Sequence, residues 1–438
     1  LAISVMWVWR PLPPTRILSP SATHDPISRE DHHPNVTSLE KMARLATESC
    51  FDSVGPAPGR AIDLAKVEAL GRGTKYDLCT SSAAKRQGED ALGSALRGGL
   101  CHSFTGSGRC VSLFKTLYTN ACPHDCGYCP NASISAGKKI FSYDPEELVR
   151  ITLALYRENR IEGLFLSSGI GRDENETMEE MIEAVRLLRS AHHFRGYVHL
   201  KILPGSSKEH VREAMELADR VSVNLEAPSS ARMAELCPSK EYERDILARQ
   251  RYIQDISRYV ALPAGQTTQM VVGAAGETDR EIFDRLLLEY DVLNLKRVYF
   301  SAFTPLAGTA FEDREKAPAW REHRLYQIDW LYRIYKLDEG EIAAAFDDSG
   351  YLPDGDPKVA IARASFEEPI DPNGASFAEL IRVPGIGPKT ARRILLCRKN
   401  GRIERMRDLA ALGVAARRAG PFLKVGGKAA ATLDRWGV

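Results

Sequence analysis

The sequence predicts an α/β fold, a parallel sheet either doubly wound or closing as a barrel, followed by a small all-α domain. Three observations carry this. From Val111 onward six short β-like runs alternate with amphipathic helical stretches, the order that sets parallel strands side by side with crossover helices outside. After Phe303 the strand signal stops. Near the C-terminal end a glycine hairpin separates two helical segments in a stretch holding 14 Lys and Arg against 4 Asp and Glu.

The 438 residues, 44% of them apolar, supply a sizeable core and suggest two or three globular units. The 59 Lys and Arg nearly cancel the 58 Asp and Glu, which excludes a uniformly basic or acidic protein, so any nucleic-acid surface must be local. No window reaches the roughly 18 apolar residues that a membrane span requires, and the first residues lack the pattern of a secretory signal. A cytoplasmic location without membrane contact is expected. The nine cysteines are odd in number and three crowd into positions 122 to 129, which points to metal before disulfide.

In chain order, residues 1–58 are rich in Pro, Ser, His and Asp and are expected to form a mostly disordered extension. Residues 59–110 form an entry segment, in which Leu64, Val67 and Leu70 recur at helical spacing before a polar linker around Ser81 to Gly93. Residues 111–348 carry the sheet and its helices. Its strands are placed at Val111 to Thr119, Gly163 to Ser168, Tyr197 to Leu203, Val221 to Glu226, Thr267 to Gly273 and Arg297 to Phe303. Between them, Asp144 and Pro145 read as N-cap and first residue of one helix, and Met178, Met181, Ile182, Val185 and Leu188 form the stripe of another. Leu325, Ile328, Tyr332 and Tyr335 mark a helix that packs back on the sheet. Residues 349–375, proline-rich and acidic, read as a linker with little helix of its own, and residues 376–438 as the second domain.

The sharpest chemical signal is Cys122-Pro-His-Asp-Cys126-Gly-Tyr-Cys129, directly after the first long strand, where parallel folds place their catalytic loops. Three thiolates so spaced can hold one soft-metal site. Zinc would want a fourth ligand, for which His124 is poorly placed and Cys101 or Cys110 are distant candidates. A four-iron four-sulfur cluster needs only three thiolates and keeps one iron open to bind a small molecule.

The loop resembles that of the radical S-adenosylmethionine superfamily, whose Cys-x3-Cys-x2-Cys motif carries an aromatic before the third cysteine, here Tyr128. The resemblance implies a partial (β/α)6 TIM-like barrel, a 4Fe-4S cluster on Cys122, Cys126 and Cys129, and S-adenosylmethionine held by later strands. Ser167-Ser168-Gly169-Ile170 stands where the family has a Gly-Gly-Glu type turn, so Ser168 and Gly169 would meet the amino group mainly through backbone. Alternation along the fourth strand sends Ser222, Asn224 and Glu226 to one face, and Asn224 with Glu226 resembles the family's ribose contact. A plain ion pair of Glu226 with a basic neighbour is the other reading. Arg232 is a candidate for the cofactor carboxylate. Gly273 resembles the family's adenine-side turn, while Glu277 suits a helix start without any ligand. Tyr299, Ser301 and Phe303 share a face of the last strand.

Further on, Val383-Pro-Gly385-Ile-Gly387-Pro-Lys389-Thr390 resembles a helix-hairpin-helix, whose glycines and following helix N-terminus let amides meet a phosphate without reading its base. Lys389, Thr390, Arg392 and Arg393 are the remaining candidate contacts. The 14 basic and 4 acidic residues of 376–438 give that domain +10, leaving −9 on the rest of a chain whose total is +1. Protein docking or tight packing is the alternative role for the hairpin.

Together the motifs resemble the DNA modification or repair branch of radical S-adenosylmethionine proteins, which joins this barrel to a C-terminal helix-hairpin-helix. That implies an enzyme that cleaves S-adenosylmethionine to a 5′-deoxyadenosyl radical, takes one electron from a donor protein, and acts on DNA. RNA, particularly tRNA, is an alternative substrate. A nonenzymatic DNA-binding adaptor with a structural metal site is the rival from another class. Cys101 and Cys110 are either auxiliary ligands or buried thiols.

Overall fold

Alternating inward and outward residues in the strands, and one apolar stripe per helix, produce a curved sheet coated by helices on its outer side. The computed structural model describes residues 63–74, 95–96, 100–104, 110–135, 137 and 139–429, all within the compact unit Leu39–Val438. The expectations for 1–58 and for the polar linker near 81–93 lie outside the described residues, as do the side chains of Cys101 and Cys110.

Eight strands lie in chain order in one sheet: β1 (Ala95–Leu96), β2 (Leu100–Phe104), β3 (Cys110–Leu117), β4 (Gly163–Ser167), β5 (Tyr197–Lys201), β6 (Arg220–Ser222), β7 (Gly265–Val272) and β8 (Arg297–Ala302). The pairs from β3 to β8 are parallel, so six parallel strands form a half-barrel. All five residues of β4 and all eight of β7 are buried, as a sheet covered on both faces requires.

The helices follow their local signals. Asp144 caps Pro145–Arg157 by accepting from the Glu147 amide at 2.7 Å, with Pro145 at the first position. Met178, Met181, Ile182, Val185 and Leu188 are all buried to 1% exposure or less, on Glu174–Arg186 and the turn that extends it. Leu64–Gly73 buries Val67 and Leu70, as expected of the entry segment. Ala319–Trp330 runs on through Leu331–Tyr335, with Leu325 and Ile328 in the core.

Three expectations need correction. The fourth predicted strand ends at Ser222 rather than Glu226, because Leu225 and Glu226 both donate to the Gln269 carbonyl and Glu226 takes φ +62°. The short antiparallel strands β1 and β2, absent from the sequence reading, extend the sheet beyond β3. The proline-rich stretch carries a real helix, Pro357–Ser365: Asp356 caps it and Pro357 starts it, so this proline initiates helix instead of breaking it.

Beyond it come Phe377–Arg382, Pro388–Cys397, Met406–Ala411 and Ala416–Ala419, closed by the hairpin of β9 (Lys424–Val425) and β10 (Lys428–Ala429). Ser376 and Glu379 cap Phe377–Arg382 reciprocally, as the Ser-x-x-Glu pattern dictates.

Candidate active site

The C-terminal ends of β3 to β8 surround a cavity of about 180 Å³. Cys122, Cys126, Tyr128 and Cys129 border it from the loop after β3, and Ser168 and Gly169 from the turn after β4. That turn is fastened to the cysteine loop, because the Gly169 amide donates to the Thr119 carbonyl at 2.7 Å. Gly169 also lies so close to the Ala121 carbonyl that a Cβ would not fit. The loop's far end is pinned by Asn120, which donates to the Lys139 carbonyl at 2.8 Å and accepts from the Phe141 amide at 2.7 Å.

Asn224 and Glu226 both line the cavity, and the Asn224 amide donates to Glu226 Oε1 at 2.9 Å. Glu226 holds a left-handed backbone conformation that costs a non-glycine residue about 1–3 kcal/mol. Its neighbours enforce it, with the Val271 amide donating to the Glu226 carbonyl at 2.8 Å. The result aims a carboxylate into the cavity from just past the end of β6.

Lys201, Lys240, Gln269 and Ser301 also face the cavity. Lys201 ends β5 with 9% exposure. Burial works against the charge on Lys240, but Cys126, Cys237 and Glu226 outweigh it and hold its pKa above the usual lysine value. Deeper in the barrel, His199 donates to or accepts from Ser222 Oγ at 2.8 Å. Burial first, then Arg220, Lys201 and Lys115, keep its imidazole far below the usual histidine range. Lys201 and Lys240 thus share the cavity with Glu226, the one carboxylate among its described lining residues.

A fourth cysteine meets the loop. Cys237, just after Ser230–Leu236, lies with its Sγ 3.1 Å from Cys126 Sγ. The hydrogen bond shared with Cys237 pulls the Cys126 thiol down to about 6, against the effect of burial, whereas burial and the Cys126 charge push Cys129 up to about 12.

Three candidates from the sequence lie elsewhere. Arg232 forks onto Glu281 with two contacts of 3.0 Å and donates to the Ala275 carbonyl, so it is not among the cavity's lining residues. Gly273 sits past the lining residues Gln269 and Val271, in a turn whose Gly273 and Ala275 amides donate to the buried Glu277. This gives Glu277 the structural role expected of it. Tyr299 is buried one step below Ser301, with Arg297 stacked on its ring, and Ser301 and Phe303 reach the cavity instead.

The donor set suits a multi-iron cluster. The thiols of Cys122, Cys126 and Cys129 border one cavity. Three thiolates around one space are the donor set that a four-iron four-sulfur cluster takes while keeping one iron open.

At the hairpin, Gly385 has φ +84° and packs on Ala415, whose amide donates to the Gly385 carbonyl at 3.0 Å. Gly387 caps Pro388–Cys397 and faces Tyr335, whose Oη would lie 3.1 Å from an added Cβ. Backbone conformation and packing thus require Gly385, in line with the tight-packing alternative, while a Cβ at Gly387 would meet only the Tyr335 hydroxyl. Lys389, Arg392 and Arg393 are exposed. Arg392 lies over the Phe377 ring, and Thr390 and Arg393 reach the Gly413 and Leu412 carbonyls, each at 3.4 Å.

Residues 116–288, which carry the three-cysteine loop and most of the half-barrel, match the family model of the Radical SAM superfamily. Members of that superfamily use a 4Fe-4S cluster and S-adenosylmethionine. Residues 365–413 match the model of the helix-hairpin-helix motif. The comparison with curated proteins gives no match.

Among solved structures, methylornithine synthase (PylB) aligns at 13% identity and TM-score 0.42, over 50% of this chain and 62% of its own. The FeFe-hydrogenase maturase HydG from Carboxydothermus hydrogenoformans aligns at 12% and 0.40, over 49% of each. The radical S-adenosylmethionine methyltransferase TsrM from Kitasatospora setae, with cobalamin and a [4Fe-4S] cluster bound, aligns at 12% and 0.36, over 60% of this chain and 45% of its own. The alignments thus span about half to three fifths of those chains. Among the described residues no helix is long and apolar enough to cross a membrane.

Proposed function

We propose that this protein is a radical S-adenosylmethionine enzyme that modifies or repairs DNA held by its helix-hairpin-helix segment. The observation that carries the enzymatic part is the shared cavity, where Cys122, Cys126 and Cys129 face Asn224, Glu226 and Lys201 across the strand ends. When bound, the cluster supplies the electron that cleaves S-adenosylmethionine to methionine and a 5′-deoxyadenosyl radical.

Each residue then has a task. The three cysteines hold the cluster. Glu226, oriented by Asn224, accepts hydrogen bonds from a ribose diol, and Ser168 and Gly169 offer the amino group a backbone edge. Lys201 and Lys240 balance a carboxylate. The buried strands around the cavity exclude water from a radical. Lys389, Arg392 and Arg393 neutralise phosphates, and a base in a duplex would have to leave the stack to reach the barrel.

The DNA half of the reading is supported by the helix-hairpin-helix match and the local excess of positive charge. Its test is anaerobic reconstitution with iron and sulfide, followed by S-adenosylmethionine, a reductant, and duplex DNA, single-stranded DNA or tRNA in parallel. Formation of 5′-deoxyadenosine that rises with DNA is expected. An iron-loaded chain that cleaves no S-adenosylmethionine would overturn the enzymatic reading, and stimulation by tRNA alone would replace DNA with RNA.

A further inference from the structure

The contact between Cys126 and Cys237 joins residues 111 positions apart in sequence, sulfur to sulfur at 3.1 Å. The two thiols differ in access. Cys126 borders the cavity, whereas Cys237 is outside its lining and only 1% exposed. Cys237 is also held in place: its Sγ lies 3.4 Å from Asp125 Oδ1 and 3.5 Å from Ser239 Oγ, and the Ser239 amide donates to the same Asp125 oxygen at 3.1 Å. One thiol is therefore open to a small molecule in the cavity and the other is positioned behind it.

We propose that Cys126 and Cys237 form a peroxide-reactive dithiol, which closes to a disulfide in the cluster-free chain and keeps a cluster ligand in recoverable form. A disulfide needs sulfurs about 2.0 Å apart, so the observed contact closes with a movement of about 1 Å. Hydrogen peroxide is small enough for the cavity. The Cys126 sulfur attacks one peroxide oxygen, the O–O bond breaks, and a sulfenic acid forms as one water leaves. The Cys237 sulfur then displaces the hydroxyl from Cys126, which departs with the Cys237 proton as a second water. Two thiols have lost two electrons and one peroxide has become two waters. A thiol reductant reverses the bond by exchange and frees Cys126.

The physiological meaning rests on the reading of Cys126 as a cluster ligand, but the reaction does not. In a cluster-bearing chain Cys126 would be engaged by iron and unavailable to peroxide. Without a resolving partner, its sulfenic acid is open to further oxidation to the sulfinic acid, which thiols do not reduce.

The test is mass spectrometry on the full chain. Cluster-free protein is treated with one equivalent of hydrogen peroxide, blocked with N-ethylmaleimide and digested without reduction. The expected product joins the Cys126 and Cys237 peptides, whereas Cys237→Ser and Cys237→Ala, given a second equivalent of peroxide, should both carry Cys126 as sulfinic acid instead. Protein carrying the cluster should form the cross-link only after its iron is lost. A cross-link from Cys126 to Cys122 or Cys129, or equal sulfinic acid in the wild type and both variants, would overturn the proposal. Iron content, measured separately, reports on the ligand assignment: normal cross-linking in a chain that never takes up iron would refute the cluster reading and leave the dithiol standing.

Discussion

The side-chain nitrogen of Lys358 donates to the Ile386 carbonyl oxygen over 2.6 Å, joining the helix Pro357–Ser365 to the tip of the glycine hairpin. The same nitrogen lies 4.5 Å from the centre of the Tyr335 ring. Arg382 with Glu341 and Arg418 with Asp356 add two ion pairs across the same junction. The hairpin is thus held by the elements that precede it, and its stability follows the charge of one buried lysine.

Burial lowers the Lys358 pKa from its ordinary 10.5 to about 7, Asp356 offsetting only part of the effect. The unfolded chain therefore binds more protons than the folded one between these values. The lysine's contribution is most favourable above pH 10.5, declines as the pH falls, and levels off below about 7. The slope in that window should approach, but not exceed, about 1.4 kcal/mol per pH unit. Thermal or denaturant unfolding of wild type and Lys358→Met across this range checks it. Equal pH dependence in both proteins would show that Lys358 is not the titrating group.

Changing Cys122, Cys126 or Cys129 to Ala should each abolish uptake of the roughly four irons expected of one cluster. Cys397→Ala and Cys237→Ala should retain it. Iron and sulfide analysis after anaerobic reconstitution, with the absorption lost on reduction, decides the matter. Retention in all five variants would mean that the iron is held elsewhere.

The barrel was legible because its signals are local and repeated. Strand positions follow from apolar runs such as Gly163 to Ser167, and the stripe from Met178 to Leu188 needs only helical spacing. The cavity was less so. Lys201 faces it through strand parity at the very end of β5, and Lys240 and Cys237 through an irregular stretch whose path depends on tertiary contacts. Arg232 stands close to Glu226 in sequence, but the helix Ser230–Leu236 turns it toward Glu281. β1, two residues long, is too short for alternation to show, and β2 takes its place in the sheet by pairing with β3.

Removing the Glu226 carboxylate should weaken S-adenosylmethionine binding while leaving the cluster in place. Hydrogen bonds to a charged group are worth about 1.5–3 kcal/mol, so Glu226→Ala should raise the cofactor Kd by roughly 10- to 100-fold. Asn224→Ala should do less, since it only orients that carboxylate. Equilibrium binding to the iron-loaded proteins measures both. Wild-type affinity in Glu226→Ala would reduce the residue to a structural role.

The hairpin makes a prediction in which charge and packing can be separated. If Lys389 and Arg393 each neutralise one phosphate, log affinity for duplex DNA falls against log salt with about 0.9 of slope per contact, and Lys389→Glu or Arg393→Glu should flatten it by about one unit. The losses should be similar across unrelated sequences, because backbone contacts carry no base information. Gly387 tests the other term. Its φ of −100° suits any residue, so Gly387→Ala meets only the Tyr335 hydroxyl, 3.1 Å from the new Cβ. Tyr335→Phe removes that oxygen. If internal packing alone requires the glycine, the double variant recovers both stability and DNA affinity. If the hairpin backbone also approaches a phosphate, stability returns while affinity stays low. Binding to DNA and RNA that persists unchanged after deletion of residues 376–438 would defeat the phosphate reading altogether and assign this segment to protein docking.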